Sequence, residues 1–134
     1  MTHPPMFSDD DPVLVRLRDV CRALPGVEER VSHGRPTFRA GKIFAVYGGS
    51  EKLSPGNHRQ VPSALIFTPD PVDLPAIEED ERFFVPAYYG PYGGRALDLA
   101  DPGVDWAEVA ELVDASYRRV APKRLLAELD ARDG

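Results

Sequence analysis

Alternating apolar and polar residues predict short strands in the middle of the chain. Residues 82–89 place apolar side chains on both sides of an extended chain, and residues 96–99 do so again after a turn rich in Gly and Pro. These two segments predict a β-hairpin. Shorter runs predict further strands at residues 36–40 and 42–47, on either side of Gly41, and at residues 64–68.

The remaining central segments lack a clear period. Residues 48–62 combine Gly, Ser, Pro, Asn, His, Arg and Gln, which predicts a loop, and a mobile one, of unusual length. Residues 28–35 indicate a connection or a weak strand, and residues 76–80 a brief helical segment.

Helical spacing predicts one long helix near each end of the chain. Ser8 or one of residues 9–11 caps the first helix, which begins near Pro12 and ends near Ala23. Its apolar stripe comprises Val13, Leu14, Leu17, Val20, Cys21 and Leu24. Asp105 caps the second, whose stripe comprises Trp106, Val109, Ala110, Leu112, Val113, Ser116, Tyr117 and Val120. A last helix, residues 123–131, turns Leu125, Leu126 and Leu129 inward.

These elements predict an α+β fold, in which an antiparallel sheet of about five strands packs against N- and C-terminal helices in two layers. The 134 residues suit a single domain, with a core over about residues 11–130. The hydrophobic share of 43% and the charged share of 28% are typical of a globular protein.

The net charge of −6 opposes indiscriminate adhesion to nucleic acid, but the charges are unevenly distributed. Residues 30–60 contain six cations and one acid, Glu51, whereas acids concentrate in residues 70–81 and 98–114. Residues 116–127 contain four cations and no acid. A basic face on an acidic protein is therefore one prediction, provided that the cations converge in space.

His33, Arg35, Thr37 and Lys42 form the most chemically suggestive cluster, because imidazole beside guanidinium and ammonium groups can hold an anion such as phosphate. Arg39, on the same predicted hairpin, adds a further cation. The alternative is that His33 and Arg35 only form hydrogen bonds that fix the turn before the hairpin.

Aromatic residues surround the glycines of the second hairpin. Tyr88, Tyr89 and Tyr92 would form a platform for a base or sugar, because glycine admits close approach, and Arg95 adds a cation. Core packing and turn geometry are the alternative explanation.

A third candidate surface lies near the C-terminus. Its predicted phosphate contacts are Tyr117, Arg118, Arg119, Lys123 and Arg124, with the amides at the start of the last helix. In the alternative, Arg118 and Lys123 pair with acids such as Glu111 and Asp114 on neighbouring turns.

The sequence contains no GxSxG, HExxH, GxxxxGK or CxxC motif, which favours a protein that is not an enzyme. Cys21 is the lone cysteine, and the three histidines His3, His33 and His58 are scattered, so we expect no metal and no cofactor. No apolar run is long enough to cross a bilayer, and the acidic N-terminal segment is unlike a signal peptide. We therefore expect a cytoplasmic protein that does not bind membranes.

Three stretches together resemble the MmcQ/YjbR family. They are LPGVEERVSHGRPTFRAGKIFA at residues 24–45, AYYGPYGG at 87–94, and a DW pair followed by a helix that ends in SYRRVAPKRLL at 126. The resemblance implies a fold likened to the CyaY (frataxin) type, termed double-wing, in a bacterial-type protein, and it implies DNA binding without a catalytic residue set. Many relatives carry Gly-Trp where this chain has Gly94 and Arg95, which puts a shared site on that hairpin in doubt.

The leading hypothesis is a non-enzymatic module that binds an anionic partner, with DNA as the candidate that the resemblance implies. Two alternatives stay open. One is a small-ligand or enzymatic site between the His33 turn and the hairpin of residues 88–95. A formyltransferase activity, with which some relatives are labelled, is not expected, because the chain lacks a Gly-rich strand-to-helix turn for phosphate. The other is a protein partner that contacts the acidic surface at Glu108 and Glu111.

Overall fold

The centre of the sheet is a long antiparallel hairpin formed by β3 (Lys42–Ser54) and β4 (Asn57–Phe67). A computed structural model describes residues 6–133, and His3 lies outside the described residues. The other strands are β1 (Glu28–Ser32), β2 (Arg35–Ala40), β5 (Phe83–Phe84) and β6 (Arg95–Asp98). The six strands pair antiparallel in the order β1-β2-β3-β4-β6-β5. The predicted α+β class is confirmed, with one strand more than expected because residues 28–32 pair with β2.

Four helices cover one face of this sheet in the described residues: α1 (Pro12–Arg22), α2 (Leu74–Glu79), α3 (Trp106–Val120) and α4 (Lys123–Asp133). Asp11 caps α1 by accepting a hydrogen bond from the Val13 amide (2.9 Å), and Asp105 caps α3 through the Ala107 amide (2.9 Å). The predicted positions of both long helices are therefore confirmed. Ala110 is an exception within the predicted stripe of α3, because it is exposed.

The two faces of the sheet bury different sets of side chains. The helix-covered face carries the main core, in which Leu14, Leu17, Val109, Val113 and Leu125 of the helices pack against the sheet. The sheet side of this core consists of strand residues and Leu99, which directly follows β6; the strand residues are Phe38, Ala40, Phe44, Ala45, Tyr47, Leu65, Phe67 and Leu97. The opposite face, termed here the open face, has a small cluster of Val46, Ile66 and Ala96, with Ile43, Phe84 and Tyr89 packed against it.

The prediction of a loop over residues 48–62 is wrong. These residues form the outer halves of β3 and β4, termed here the wing (residues 50–60), which turns at Pro55 and Gly56. Residues 52–60 are all exposed, so neither face of the wing needs apolar side chains and the sequence shows no alternation. Pro62 is tolerated because β6 does not begin to pair with β4 until Ala64.

The predicted hairpin of residues 82–89 and 96–99 is only partly correct. The pairing exists, with Phe83 opposite Leu97, but the first strand contains only Phe83 and Phe84. Residues 85–94, termed here the strap, leave the sheet edge instead. The Ala87 amide donates to the Ser50 carbonyl of β3 (2.8 Å), and a short 3₁₀ turn follows at Gly90–Tyr92. The strap therefore runs from the β5 edge of the sheet back to β3.

A buried serine joins α3 to the sheet. Phe44 has no partner on β2, because the register steps from Phe38–Ala45 to Arg39–Ile43 at a bulge. The Ser116 hydroxyl donates to the Phe44 carbonyl (2.6 Å) and accepts from the amide of Thr68, which follows β4 (2.9 Å). This joint fixes the C-terminal half of α3 over the start of β3.

Candidate functional site

Two segments that carry cations contact each other where the β2–β3 turn packs against the α3–α4 junction. A Cβ built on Gly41, in that turn, would lie 3.7 Å from Pro122 Cδ, in that junction. Arg39 and Lys42 flank Gly41, and three further cations flank Pro122. We term this group the basic end: Arg39, Lys42, Arg119, Lys123 and Arg124.

The cations of the basic end are not neutralised by ion pairs with carboxylates of the described chain. Arg39 donates from Nε to the Thr37 hydroxyl (3.3 Å), and the other four side chains belong to exposed residues. Glu28 lies opposite Arg39 in the register, but it pairs with Arg30 (2.9 Å). These positive charges therefore remain available to an external anion.

Two predicted members of this surface have structural roles instead. Arg118 donates to Asp114 (2.6 Å) and to Asp130 (3.1 Å), and these hydrogen bonds raise the pKa of its guanidinium. The alternative of local pairing thus holds for Arg118, whereas Lys123 does not form such a pair within the described chain. Tyr117 is buried and donates to the Pro25 carbonyl (2.6 Å), which anchors α3 to the segment that follows α1.

A second group of predicted site residues lies at the other end of β2, near the base of the wing. His33 and Gly34 form the two-residue turn between β1 and β2 with positive φ angles of 54° and 79°. The Arg35 guanidinium fills the space beside Gly48 and donates weakly to Gln60 (3.4 Å). Burial lowers the pKa of Arg35, while the nearby Tyr89 opposes that change.

Tyr88 belongs to this second group and has a strained backbone. Its φ of 72° lies in the left-handed region, which costs a bulky residue energy. Its side chain is 79% exposed, and its ring stacks on His58 of the wing with a centroid separation of 6.5 Å. The predicted aromatic platform is thus split, because Tyr88 faces the wing while Tyr89 packs on the open face.

The structure therefore divides the predicted site residues rather than gathering them. Arg35 and Arg39 lie on one strand, four residues or about 13 Å apart at 3.3 Å per residue. Arg95 joins neither group, because it pairs with Glu78 of α2 (2.7 Å) and is only 14% exposed. Its Nε atom is buried without a hydrogen-bond partner in the described chain.

An apolar cavity of about 260 Å³ lies on the open face beneath the strap. Its floor includes Ile43, Val46 and Ile66, and Tyr89 and Tyr92 form its aromatic wall. Its lining includes Tyr92 and Gly94 of the hairpin turn, as the small-ligand hypothesis requires, but it does not include His33.

A second cavity of the same volume, about 260 Å³, lies between α2 and α3 on the helix-covered side. Five of its lining residues are acidic: Asp70, Asp73, Asp80, Glu108 and Glu111. Arg82 bridges two of them, with contacts of 2.7 Å to both Asp80 and Glu108. The acidic surface considered for a protein partner is thus partly neutralised at Glu108, while Glu111 lines an open groove.

Two further features of residues 6–133 concern cysteine chemistry and metal binding. Cys21 is fully buried in α1, and that burial raises the pKa of its thiol, so it remains protonated at neutral pH. No group of three or more His, Cys, Asp or Glu side chains in the described part of the chain is placed to hold a metal ion. The helices described here are all too short or too polar to cross a membrane.

Comparison with known proteins gives one match. The model of the YjbR family matches residues 22–119, which run from the end of α1 almost to the end of α3 and include the whole sheet. No curated protein and no solved structure matches the chain significantly. Because the matched region covers well over half of the sequence, the chain belongs to the YjbR family.

Proposed function

We propose that this YjbR-family protein is a non-enzymatic module that binds DNA by contacting backbone phosphates with its basic end. The observation that carries the proposal is the contact between Gly41 and Pro122, which joins two segments that carry five cations, none of them ion-paired within the described chain. Lys and Arg side chains that neutralise phosphates release counterions, and this release supplies most of the affinity in sequence-independent binding.

The start of α4 supports the same assignment. The first hydrogen bonds of this helix come from the amides of Leu125 and Leu126, which both donate to the Pro122 carbonyl. The amides of Lys123 and Arg124 precede those bonds, so they are directed outward at the positive end of the helix dipole. A phosphate held by the two side chains would therefore also meet backbone donors.

The overall charge of −6 sets the expected behaviour of such a complex. The acidic surface on the helix-covered side repels DNA, so binding would be confined to the basic end and would have a defined orientation. Affinity would be modest and would fall steeply with salt, because each phosphate contact contributes about 0.9 to the slope of log K against log salt concentration for duplex DNA.

The test compares two double variants that lose the same charge. Lys42→Gln with Lys123→Gln removes two cations of the basic end, and Arg22→Gln with Lys52→Gln removes two exposed cations elsewhere. Fluorescence anisotropy of a labelled duplex is measured at several salt concentrations. We expect the first pair to reduce the salt slope by about 2 and the second to leave it unchanged.

Two outcomes would contradict the proposal. If the wild-type protein has no salt-dependent affinity for DNA even at low ionic strength, DNA is not the partner. If both double variants weaken binding equally, the binding follows net charge alone and the basic end is not the contact surface.

A further inference from the structure

We propose that the cavity on the open face holds one unstacked nucleotide, with its base against Tyr92 and its phosphate on Arg39. This inference rests on the proposed function and makes it more specific, because a base can enter the cavity only where it is unpaired. The substrate class would then be single-stranded nucleic acid rather than closed duplex.

The volume and the lining of the cavity suit a single planar ring system. Its volume of about 260 Å³ lies below the range of roughly 300–1,000 Å³ that is typical of sites for drug-sized ligands. Ile43, Val46 and Ile66 give it an apolar floor, and Thr68 supplies a hydroxyl at its edge. Such a site accepts the face of a base and offers few hydrogen-bonding groups, so we expect little preference among bases.

Tyr92 is placed as a stacking surface. It lines the cavity from the 3₁₀ turn of the strap, yet its side chain is 85% exposed. The backbone of the strap folds back tightly on itself at Gly94, because a Cβ built on Gly94 would lie 2.9 Å from the Tyr89 carbonyl oxygen. A large exposed aromatic side chain on such a turn offers an accessible face on which a base can stack.

Arg39 connects this cavity to the basic end. It lies directly opposite Ile43 in the β2–β3 register, so its side chain shares the open face with a residue of the cavity floor. Its Nε donates to the hydroxyl of Thr37, and Thr37 is the register partner of Val46, a residue of the cavity floor. Arg39 lacks a carboxylate partner in the described chain, so it can hold the phosphate that is attached to a base in the cavity.

The experiment compares three ligands and three variants of the full chain. The ligands are a single-stranded oligonucleotide that contains 2-aminopurine, the duplex of the same sequence, and free deoxyadenosine monophosphate. The variants are Tyr92→Ala, Arg39→Gln and, as control, Val72→Ala, which alters an apolar side chain of equal exposure (85%) outside the cavity. Circular dichroism checks that each variant is folded, which is expected because Tyr92 and Val72 are both exposed.

The expected result has three parts. The single strand binds more tightly than the duplex, and its 2-aminopurine fluorescence changes on binding. Tyr92→Ala weakens single-strand binding by about five- to 150-fold, the usual loss when base stacking on an aromatic side chain is removed, but it leaves duplex binding unchanged. Arg39→Gln weakens binding of both the single strand and the free nucleotide, whereas Val72→Ala alters neither.

The outcomes separate this inference from the proposed function. If neither strand form binds the wild-type protein, the proposed function itself fails. If duplex and single strand bind equally and Tyr92→Ala has no effect, while Lys42→Gln with Lys123→Gln still weakens both, the basic end is correct and the nucleotide site is wrong. If the free nucleotide binds in an Arg39-dependent way but the oligonucleotide does not, the cavity is a small-ligand site and the single-strand assignment is overturned.

Discussion

The Ser116 hydroxyl offers the sharpest test of how the basic end is held in place. Ser116 is fully buried and lies just before the last turn of α3. Next to the pair Ala45–Phe67 lie Phe44 of β3 and Thr68, the residue that follows β4. Instead of bonding to each other, their carbonyl and amide both bond to Ser116 Oγ (2.6 and 2.9 Å).

The expected cost of Ser116→Ala follows from these two bonds. A typical hydrogen bond contributes about 1 kcal/mol net, and a buried group that is left without a partner costs about 1–3 kcal/mol. Ser116→Ala removes only the oxygen atom of the side chain, so the cavity that remains is small. We therefore expect the free energy of unfolding to fall by about 2 kcal/mol, taking about 1 kcal/mol for each bond lost.

Urea denaturation followed by circular dichroism measures this loss. With a slope of about 2 kcal/mol per molar urea, the midpoint should fall by about 1 M while the slope stays constant. Ser54→Ala, the same change at an exposed position near the tip of the wing, is the control and should stay within about 0.5 kcal/mol of wild type. A loss below about 0.5 kcal/mol for Ser116→Ala would refute the reasoning, because the two strand ends would then have closed onto each other.

Three further changes test other parts of the structure. Burial raises the pKa of Tyr47 above about 10, the pKa of tyrosine in an unfolded chain. The protonated Tyr47 side chain therefore stabilises the fold fully below about pH 10, and this stabilisation is lost as the pH rises further. Urea midpoints should accordingly fall less steeply with rising pH for Tyr47→Phe than for the wild type. Arg18→Gln should lower the free energy of unfolding, measured by urea denaturation, by about 1–2 kcal/mol, because Arg18 binds both carboxylate oxygens of Glu29 and both side chains are about 15% exposed. A double-mutant cycle with Glu29→Gln that gives no coupling energy between the two side chains would contradict this. Gly48→Ala should cost at least about 1 kcal/mol, because Gly48 has a φ of +88°, which strains an L side chain, and the new Cβ would also displace the Arg35 guanidinium; an unchanged thermal midpoint would contradict this reasoning.

The helices could be predicted from the sequence because their signals are local. The apolar stripe of α3 repeats over several turns, and its cap, Asp105, is adjacent in sequence to the helix that it starts. The same holds for α1, where Asp11 precedes Pro12. Local capping and periodicity do not depend on what the helix packs against, so they survive folding unchanged.

The wing and the strap could not be predicted because their conformations depend on distant partners. The wing is exposed on both faces, so its strands keep their shape through the β3–β4 ladder rather than through an apolar face. The strap has the alternating pattern of a strand, yet Pro86 has no amide to donate and the Ala87 amide bonds to Ser50 of β3. Alternation shows which side chains can share a face, but it does not show which backbone lies beside them.

The candidate site shows the same division between local and distant effects. Arg95 appeared as available as its neighbours in the sequence, yet it is neutralised by Glu78 of α2. Arg118 combines both effects, since it pairs with Asp114 four residues earlier in α3 and also with Asp130 of α4. The basic end exists for the complementary reason, since the turn at Gly41 happens to pack against a junction that carries cations and no acids. Whether a cation can bind an external phosphate is therefore decided by the tertiary neighbours of its side chain, and counting charges along the chain both overestimates the number of available cations and misses where they gather.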